Sequence, residues 1–185
     1  PGVRGGRAIS LSGERPRREV STKGSFYLPD TTVQGLKHGE WKQFNTKGEL
    51  VGCYSMELGN GEEKIWHENS QLNLAAVYTG GKQDGEEGEW YEDGTKRLES
   101  TYAAGKREGI ERRWQENGQL VFEGTYRDNL EHGLFRTWDS QGNLMEERHF
   151  RRGRRHGLSS SWTDGKKARE GKFKNGKRQG PWTHW

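Results

Sequence analysis

The sequence predicts an all-β protein: an elongated, single-layer antiparallel sheet made of tandem β-hairpin repeats. Three phased series carry this reading. Trp66, Trp90, Trp114, Trp138 and Trp162 stand 24 residues apart, and Trp185 follows 23 later. Gly61, Gly85, Gly109, Gly133 and Gly157 keep the same interval, each five residues ahead of its Trp. Tyr78, Tyr102, Tyr126, Phe150 and Phe173 trail the tryptophans by eleven or twelve residues. A repeat of this length is one supersecondary unit that buries its apolar side chains against its neighbours.

Within one copy, Ile110, Arg112 and Trp114 share one face of an outgoing strand, because side chains alternate. Glu116-Asn117-Gly118-Gln119 is expected to turn tightly, Asn-Gly tolerating positive φ. The return strand sets Leu120, Phe122, Gly124 and Tyr126 on one face. A second turn covers Gly105 to Gly109, as at Gly153 to Gly157. Copies joined this way give about fourteen strands over residues 15–185, as about seven repeats, the first degenerate and the last half-length. Residues 1–14 lack the pattern and are expected to be a flexible basic arm. The rings of Trp, Tyr and Phe are expected to form ladders between copies, with Gly52, Ala76, Ser100, Gly124 and Gly171 leaving room for them. Trp114 and Trp138 are expected to be structural, Trp138→Ala costing about 3–5 kcal/mol.

Composition fits a fold with no second layer to bury. Only 28% of the 185 residues are hydrophobic and 31% are charged, where a globular domain carries about 45–50% apolar residues. Disordered chains share that balance, but not eight regularly spaced Trp or 28 Gly against 4 Pro. The single Cys53 excludes an intrachain disulfide and is expected to be buried or half-buried. No apolar run approaches the roughly 18 residues that span a bilayer, and no secretory signal is seen. The chain begins at Pro1 rather than Met, so its compartment stays open.

Gly39-Glu40-Trp41-Lys42-Gln43-Phe44, followed by Lys47-Gly48 and Tyr54, resembles the MORN repeat in its bacterial variant form, the YwqK-type antitoxin-like group. So does Gly88-Glu89-Trp90-Tyr91-Glu92-Asp93-Gly94 with Tyr102, Gly105-Lys106 and Gly109. The likeness covers about residues 35 to 185, and 15 to 34 more weakly. The early Trp of the pattern is kept at Trp41 and Trp182 and is absent from most middle copies. The resemblance implies a hairpin sheet without a catalytic centre, acting as a scaffold, a self-association module or a lipid-associated module. For the bacterial variant it implies the antitoxin of a toxin pair.

The residues themselves offer little catalytic chemistry. His38, His132 and His156 each precede a repeat glycine, but successive copies set such residues about 9–10 Å apart. They read as turn residues, and no metal site is expected. Glu86, Glu87, Glu89, Glu92 and Asp93 show no paired-carboxylate arrangement, Ser159-Ser160-Ser161 lacks an elbow motif, and the glycines are turn glycines rather than a phosphate-cradling loop. No catalytic residue or cofactor is expected.

Charge is the more informative signal. Residues 61–147 hold 10 Lys/Arg against 19 Asp/Glu, whereas residues 148–185 hold 12 against 2. Arg151, Arg152, Arg154 and Arg155, flanking one turn, and Lys172 and Lys174 beyond it are the expected anion- or partner-binding residues. A protein partner, a toxin or a second copy of the chain, is favoured over an anionic membrane. Nucleic acid ranks last because the acidic middle repels an extended strand. Trp66, Trp90, Trp114, Trp138, Trp162, Tyr78, Tyr102, Tyr126, Phe150, Phe173, Gly109, Gly133 and Gly157 are expected to hold the repeat together.

Overall fold

Two turn geometries shape this chain. The structure, a computed structural model, describes residues 19–20 and 26–185. The arm expected at residues 1–14 lies outside the described residues, as do 15–18 and 21–25 of the degenerate copy. The strands are β1 (Glu19–Val20), β2 (Phe26–Val33), β3 (Leu36–Phe44), β4 (Leu50–Glu57), β5 (Asn60–Trp66), β6 (Leu72–Thr79), β7 (Lys82–Trp90) and β8 (Lys96–Ala103). They continue as β9 (Lys106–Arg107), β10 (Gly109–Trp114), β11 (Leu120–Arg127), β12 (Leu130–Trp138), β13 (Leu144–Arg151), β14 (Arg154–Thr163), β15 (Lys166–Lys174) and β16 (Lys177–His184). All belong to one open antiparallel sheet in sequence order, with no helix among the described residues. β9 and β10 form one strand interrupted at Glu108, whose N–H donates to Thr101 O at 2.8 Å. Fifteen strand positions result rather than about fourteen, because the degenerate copy and the final half copy contribute three strands to the twelve of the full copies. At about 4.8 Å per step the sheet is roughly 65–70 Å long.

At one side of the sheet, two-residue turns hold both residues at positive φ, as in Ala104–Gly105 (49° and 84°) and Arg152–Gly153 (51° and 71°). This geometry matches the twist of antiparallel strands. The opposite side uses five-residue loops from β3 to β13, and a two-residue turn, Asp164–Gly165 (51° and 71°), between β14 and β15. Gly118 N–H donates to Gln115 O at 2.9 Å, and Gln115 N–H to Gln119 O at 3.0 Å. Gly118 carries the positive φ (78°), while Asn117 uses its side chain, Oδ1 accepting from Gln119 N–H at 2.9 Å. The Asn-Gly pair therefore divides the labour that a two-residue turn would give to both backbones. Gly109, Gly133 and Gly157, at φ 99°, 78° and 105°, occupy strand positions that an L side chain rarely adopts.

Residues opposite one another in a ladder share a face. Glu111 pairs with Gly124 and Gly124 with Phe135, so Trp114, by alternation from Glu111, leaves on the other face. The ring ladders therefore run on both faces, Trp114 on one and Tyr126 on the other. One face, here the aromatic face, carries Tyr54, Tyr78, Tyr102, Tyr126, Phe150 and Phe173. Its densest point is Phe135, 6% exposed, with Phe150 at 4.8 Å, Tyr126 at 5.4 Å and Phe122 at 5.8 Å between ring centroids. A Cβ on Gly124 would lie 2.5 Å from the Phe135 ring, so only glycine admits it. Gly52 makes the same room for Trp66, and Gly171 for Trp182. Trp41, Tyr54 and Met56 form a second buried cluster, Trp66 and Tyr78 packing against it.

The other tryptophans serve the opposite face. Trp90 lies against Gly88, and the Lys96 and Lys167 ammoniums lie 5.9 and 5.6 Å from the Trp114 and Trp162 rings. Trp138 is half-buried. Tryptophan backbones also join copies: Gln43 Nε2, His67 Nε2 and Tyr91 Oη bond the carbonyls of Trp66, Trp90 and Trp114 at 2.7–2.8 Å. Along the two-residue turns, each turn N–H donates to the preceding copy, from Gly59 to Lys37 O (2.8 Å) through Gly176 to Arg155 O (2.8 Å). Cys53 is exposed, contrary to its expected burial. It alternates with the buried Tyr54 and so lies on the face opposite the Trp41–Tyr54–Met56 cluster.

Phe135→Ala is expected to cost about 3–5 kcal/mol, and Trp138→Ala, because the ring is only half-buried, about 1–2 kcal/mol rather than the about 3–5 kcal/mol expected of a well-packed ring. Urea unfolding of both variants checks this, and an equal or larger loss at Trp138 would contradict the packing described.

Candidate functional site: a basic end divided between two faces

The turn Arg152–Gly153 places the basic residues. Arg151 pairs with Arg154 and Phe150 with Arg155. Alternation then sends Arg155 to the aromatic face and Arg151 and Arg154 to the opposite face, with Arg152 at the tip. Lys172 pairs with Leu158 beside the Gly157–Phe173 pair and, like Lys174, falls on the face of Arg151 and Arg154. The turn thus presents its arginines in two directions. Arg151, Arg152, Arg154, Lys172 and Lys174 are exposed, and Arg155 is half-buried with its guanidinium 5.2 Å from the Phe173 ring centroid. Beside it, Arg169 and Arg178 lie 4.8 and 4.7 Å from the Trp182 ring. These two arginines, and Arg148, join the basic end only through the register.

Ion pairing changes along the array. Every arginine from Arg97 to Arg148 has a carboxylate within 4.0 Å. Among the described residues Arg151, Arg152, Arg154, Arg155, Arg169 and Arg178 have none. The aromatic face changes character at the same point. In its first part tyrosines alternate with carboxylates: Glu63 lies between Tyr54 and Tyr78, Glu87 beside Tyr102, and Glu111 beside Tyr126. Burial, reinforced by Glu87, pushes the Tyr102 hydroxyl up to about 12. The buried Glu111 accepts from Arg107 Nη1 at 3.2 Å and Arg113 Nε at 2.8 Å, so it is a paired structural charge. In the second part Phe and Arg take over.

The opposite face holds a feature the sequence reading missed. Glu99, Arg112, Glu123, Arg136 and Glu147 stand directly across from one another on successive strands. Arg112 Nη1 donates to Glu99 at 2.9 Å and its Nε to Glu123 at 2.7 Å; Arg136 Nε donates to Glu147 at 2.8 Å and its Nη1 lies 3.9 Å from Glu123. The signal was present as charges of alternating sign at alternating intervals of 13 and 11 residues. Burial would raise the Glu99 carboxyl, but hydrogen bonds from Lys96 and Arg112 hold it below the usual range.

Within the histidine row only His38 caps a turn; the buried Nδ1 atoms of His132 and His156 have no hydrogen-bond partner among the described residues. In four copies the position before the repeat glycine caps the next two-residue turn: His38 Nδ1 accepts from Leu58 N–H at 3.3 Å, Asn60 Oδ1 from Gly80 at 2.9 Å, Asp84 Oδ1 from Ala104 at 3.1 Å and Glu108 Oε2 from Asp128 at 3.0 Å. Among the described residues no group of three His, Cys, Asp or Glu is placed to hold a metal ion.

A carboxyl whose pKa is lowered on folding stabilises the fold above its unfolded value, and the benefit is lost as pH falls through the folded one. Stability is therefore expected to hold from pH 7 to about 5 and to fall below about pH 4.5. Glu99→Gln should flatten that fall. Urea midpoints across this range check it, and an unchanged acid slope in the variant would remove Glu99 from the ladder's energetics.

Residues 107–128 and 131–152 match the family model of the MORN repeat variant. The two matched segments are consecutive copies, β9 to β11 and β12 to β13 with the turn that follows. No curated protein matches the chain.

Proposed function

We propose that the chain is a non-catalytic repeat scaffold that binds a protein partner through its basic C-terminal end. The observation that carries this reading is the abrupt end of arginine–carboxylate pairing after Arg148. Upstream, the arginines are consumed by the sheet's own carboxylates. Downstream, exposed arginines lack a carboxylate within the described chain and present charge outward, which supports docking of an acidic surface. The matched MORN-variant segments support a scaffold. In its most specific form the protein is an immunity or antitoxin-like molecule covering an acidic surface of a toxin, a reading supported by the resemblance to the bacterial variant repeats. An anionic membrane is the second candidate for the same charges.

Replacing Arg151, Arg152, Arg154 and Arg155 together with Ser is expected to abolish capture of the partner in a pull-down from the native cell. The unmodified complex should weaken with salt, since exposed charges are screened within about 8 Å at physiological ionic strength. A quadruple variant that retains its partner at low salt would show the patch to be solvated surface only. Binding of the intact chain to anionic vesicles, without a protein partner, would transfer the function to the membrane.

A further inference from the structure

Between β13 and β16 the aromatic face carries a hollow of about 230 Å³, lined by Arg148, Arg155, Ser159, Ser161, Arg169 and Trp182. Its floor is low at Ser159, which stands between Arg148 and Gly171 where the preceding copy sets the bulky Phe135, and Trp182 closes the side over Gly171. Arg148 is paired with Glu146. Arg155 and Arg169 lie over Phe173 and Trp182 and have no carboxylate within 4.0 Å among the described residues. A guanidinium lying over a ring keeps its N–H donors in its own plane, at the rim, where they suit a planar or tetrahedral oxyanion. The ring meanwhile limits the side-chain entropy left to lose on binding.

The ligand chemistry follows from what the hollow offers and withholds. It supplies two unpaired guanidinium groups and two hydroxyls, and its one carboxylate is already engaged by Arg148. Two fixed positive charges match a phosphate monoester, at about −1.5 to −2 near neutral pH, better than a single carboxylate. Trp182 already has Arg169 and Arg178 over it, so the ring is committed to holding arginines rather than to stacking a base. The arginines of the hollow lie on the sheet face, whereas Arg152 sits at the turn tip and Arg151 and Arg154 on the opposite face. One flat surface does not meet all three sets, but a phosphate on a flexible side chain reaches into the hollow.

We propose that this hollow binds a phosphate monoester carried on a side chain of the protein partner. Arg155 and Arg169 clamp its oxygens, and the Ser159 and Ser161 hydroxyls donate to it. The assignment rests on the reading that the basic end docks a protein, and it adds the chemistry of one contact.

Titration calorimetry of the full chain with O-phospho-L-serine, L-serine and inorganic phosphate tests it, beside vesicles of phosphatidylcholine with and without phosphatidic acid. Phosphoserine is expected to bind and serine not to, with inorganic phosphate competing. Arg155→Lys with Arg169→Lys keeps the charge over each ring but loses the fork, and should weaken phosphoserine about tenfold or more while the far-UV spectrum is unchanged. Ser159→Asp, which leaves both stacked arginines in place, should do the same if the lysine pair does not fold. Serine binding as well as phosphoserine, or full affinity in a folded variant, overturns the proposal. So does binding to phosphatidic acid vesicles without binding to phosphoserine, which assigns the hollow to a lipid surface. If phosphoserine fails while the partner still depends on Arg151, Arg152 and Arg154, only this inference falls. If phosphoserine binds while no protein partner depends on the basic end, the docking function falls and the site stands.

Discussion

A sheet one layer thick can bury a side chain only against the strand beside it. In this chain that constraint selects the period. Antiparallel strands repeat their direction every second strand, and an even residue interval returns each side chain to the same face. Glu63, Ala76, Glu87, Ser100, Glu111, Gly124 and Phe135 thereby follow one another across the aromatic face, while Glu99, Arg112, Glu123, Arg136 and Glu147 follow one another across the other. The turns enforce the interval, since two-residue turns at one side and, from β3 to β13, five-residue loops at the other leave little freedom to slip. Bonds from Gln43, His67 and Tyr91 to the next copy's Trp carbonyl, and from each two-residue turn to the copy before it, then fix neighbouring hairpins without a hydrophobic core of ordinary size.

The same geometry separates stability from recognition. Within the acidic middle, charges are paired along the face and tyrosines are interleaved with glutamates, so little positive charge remains for a partner. Beyond Arg148 the aromatic rings persist, at Phe150, Phe173 and Trp182, but carboxylates are scarce. The rings continue to hold the sheet and now also hold arginines. A change of composition on an unchanged scaffold thus converts a self-satisfied surface into one presenting cations at a turn tip and in a hollow.

Much of the fold was legible because the period is visible in residues of three kinds. The Trp, Gly and Tyr/Phe series marked strand ends, bulges and the aromatic face, and the positions of the turns followed. Ring partners were not legible, because pairing Glu111 with Gly124 instead of shifting by one residue decides whether Trp114 joins Tyr126 or opposes it. The ladder from Glu99 to Glu147 was hidden for the same reason: its members lie alternately 13 and 11 residues apart, an interval that carries meaning only once the strands are aligned. At the basic end, the four arginines around Gly153 stood out as a run of charge. Arg169 and Ser159 did not, since their meeting with Arg155 depends on the register of β14 with β15.

Removing whole copies tests the central claim that neighbour contacts in a fixed, even register hold this sheet. Deleting residues 110–133 removes 24 residues and joins Gly109 to Leu134, which reproduces the native Gly133–Leu134 step. Deleting residues 110–132 removes 23 and turns every later side chain to the other face. The first deletion is expected to keep a β-type far-UV spectrum and a cooperative urea transition, and the second to lose the transition. Equal cooperativity in the two proteins, or collapse of both, would contradict the account.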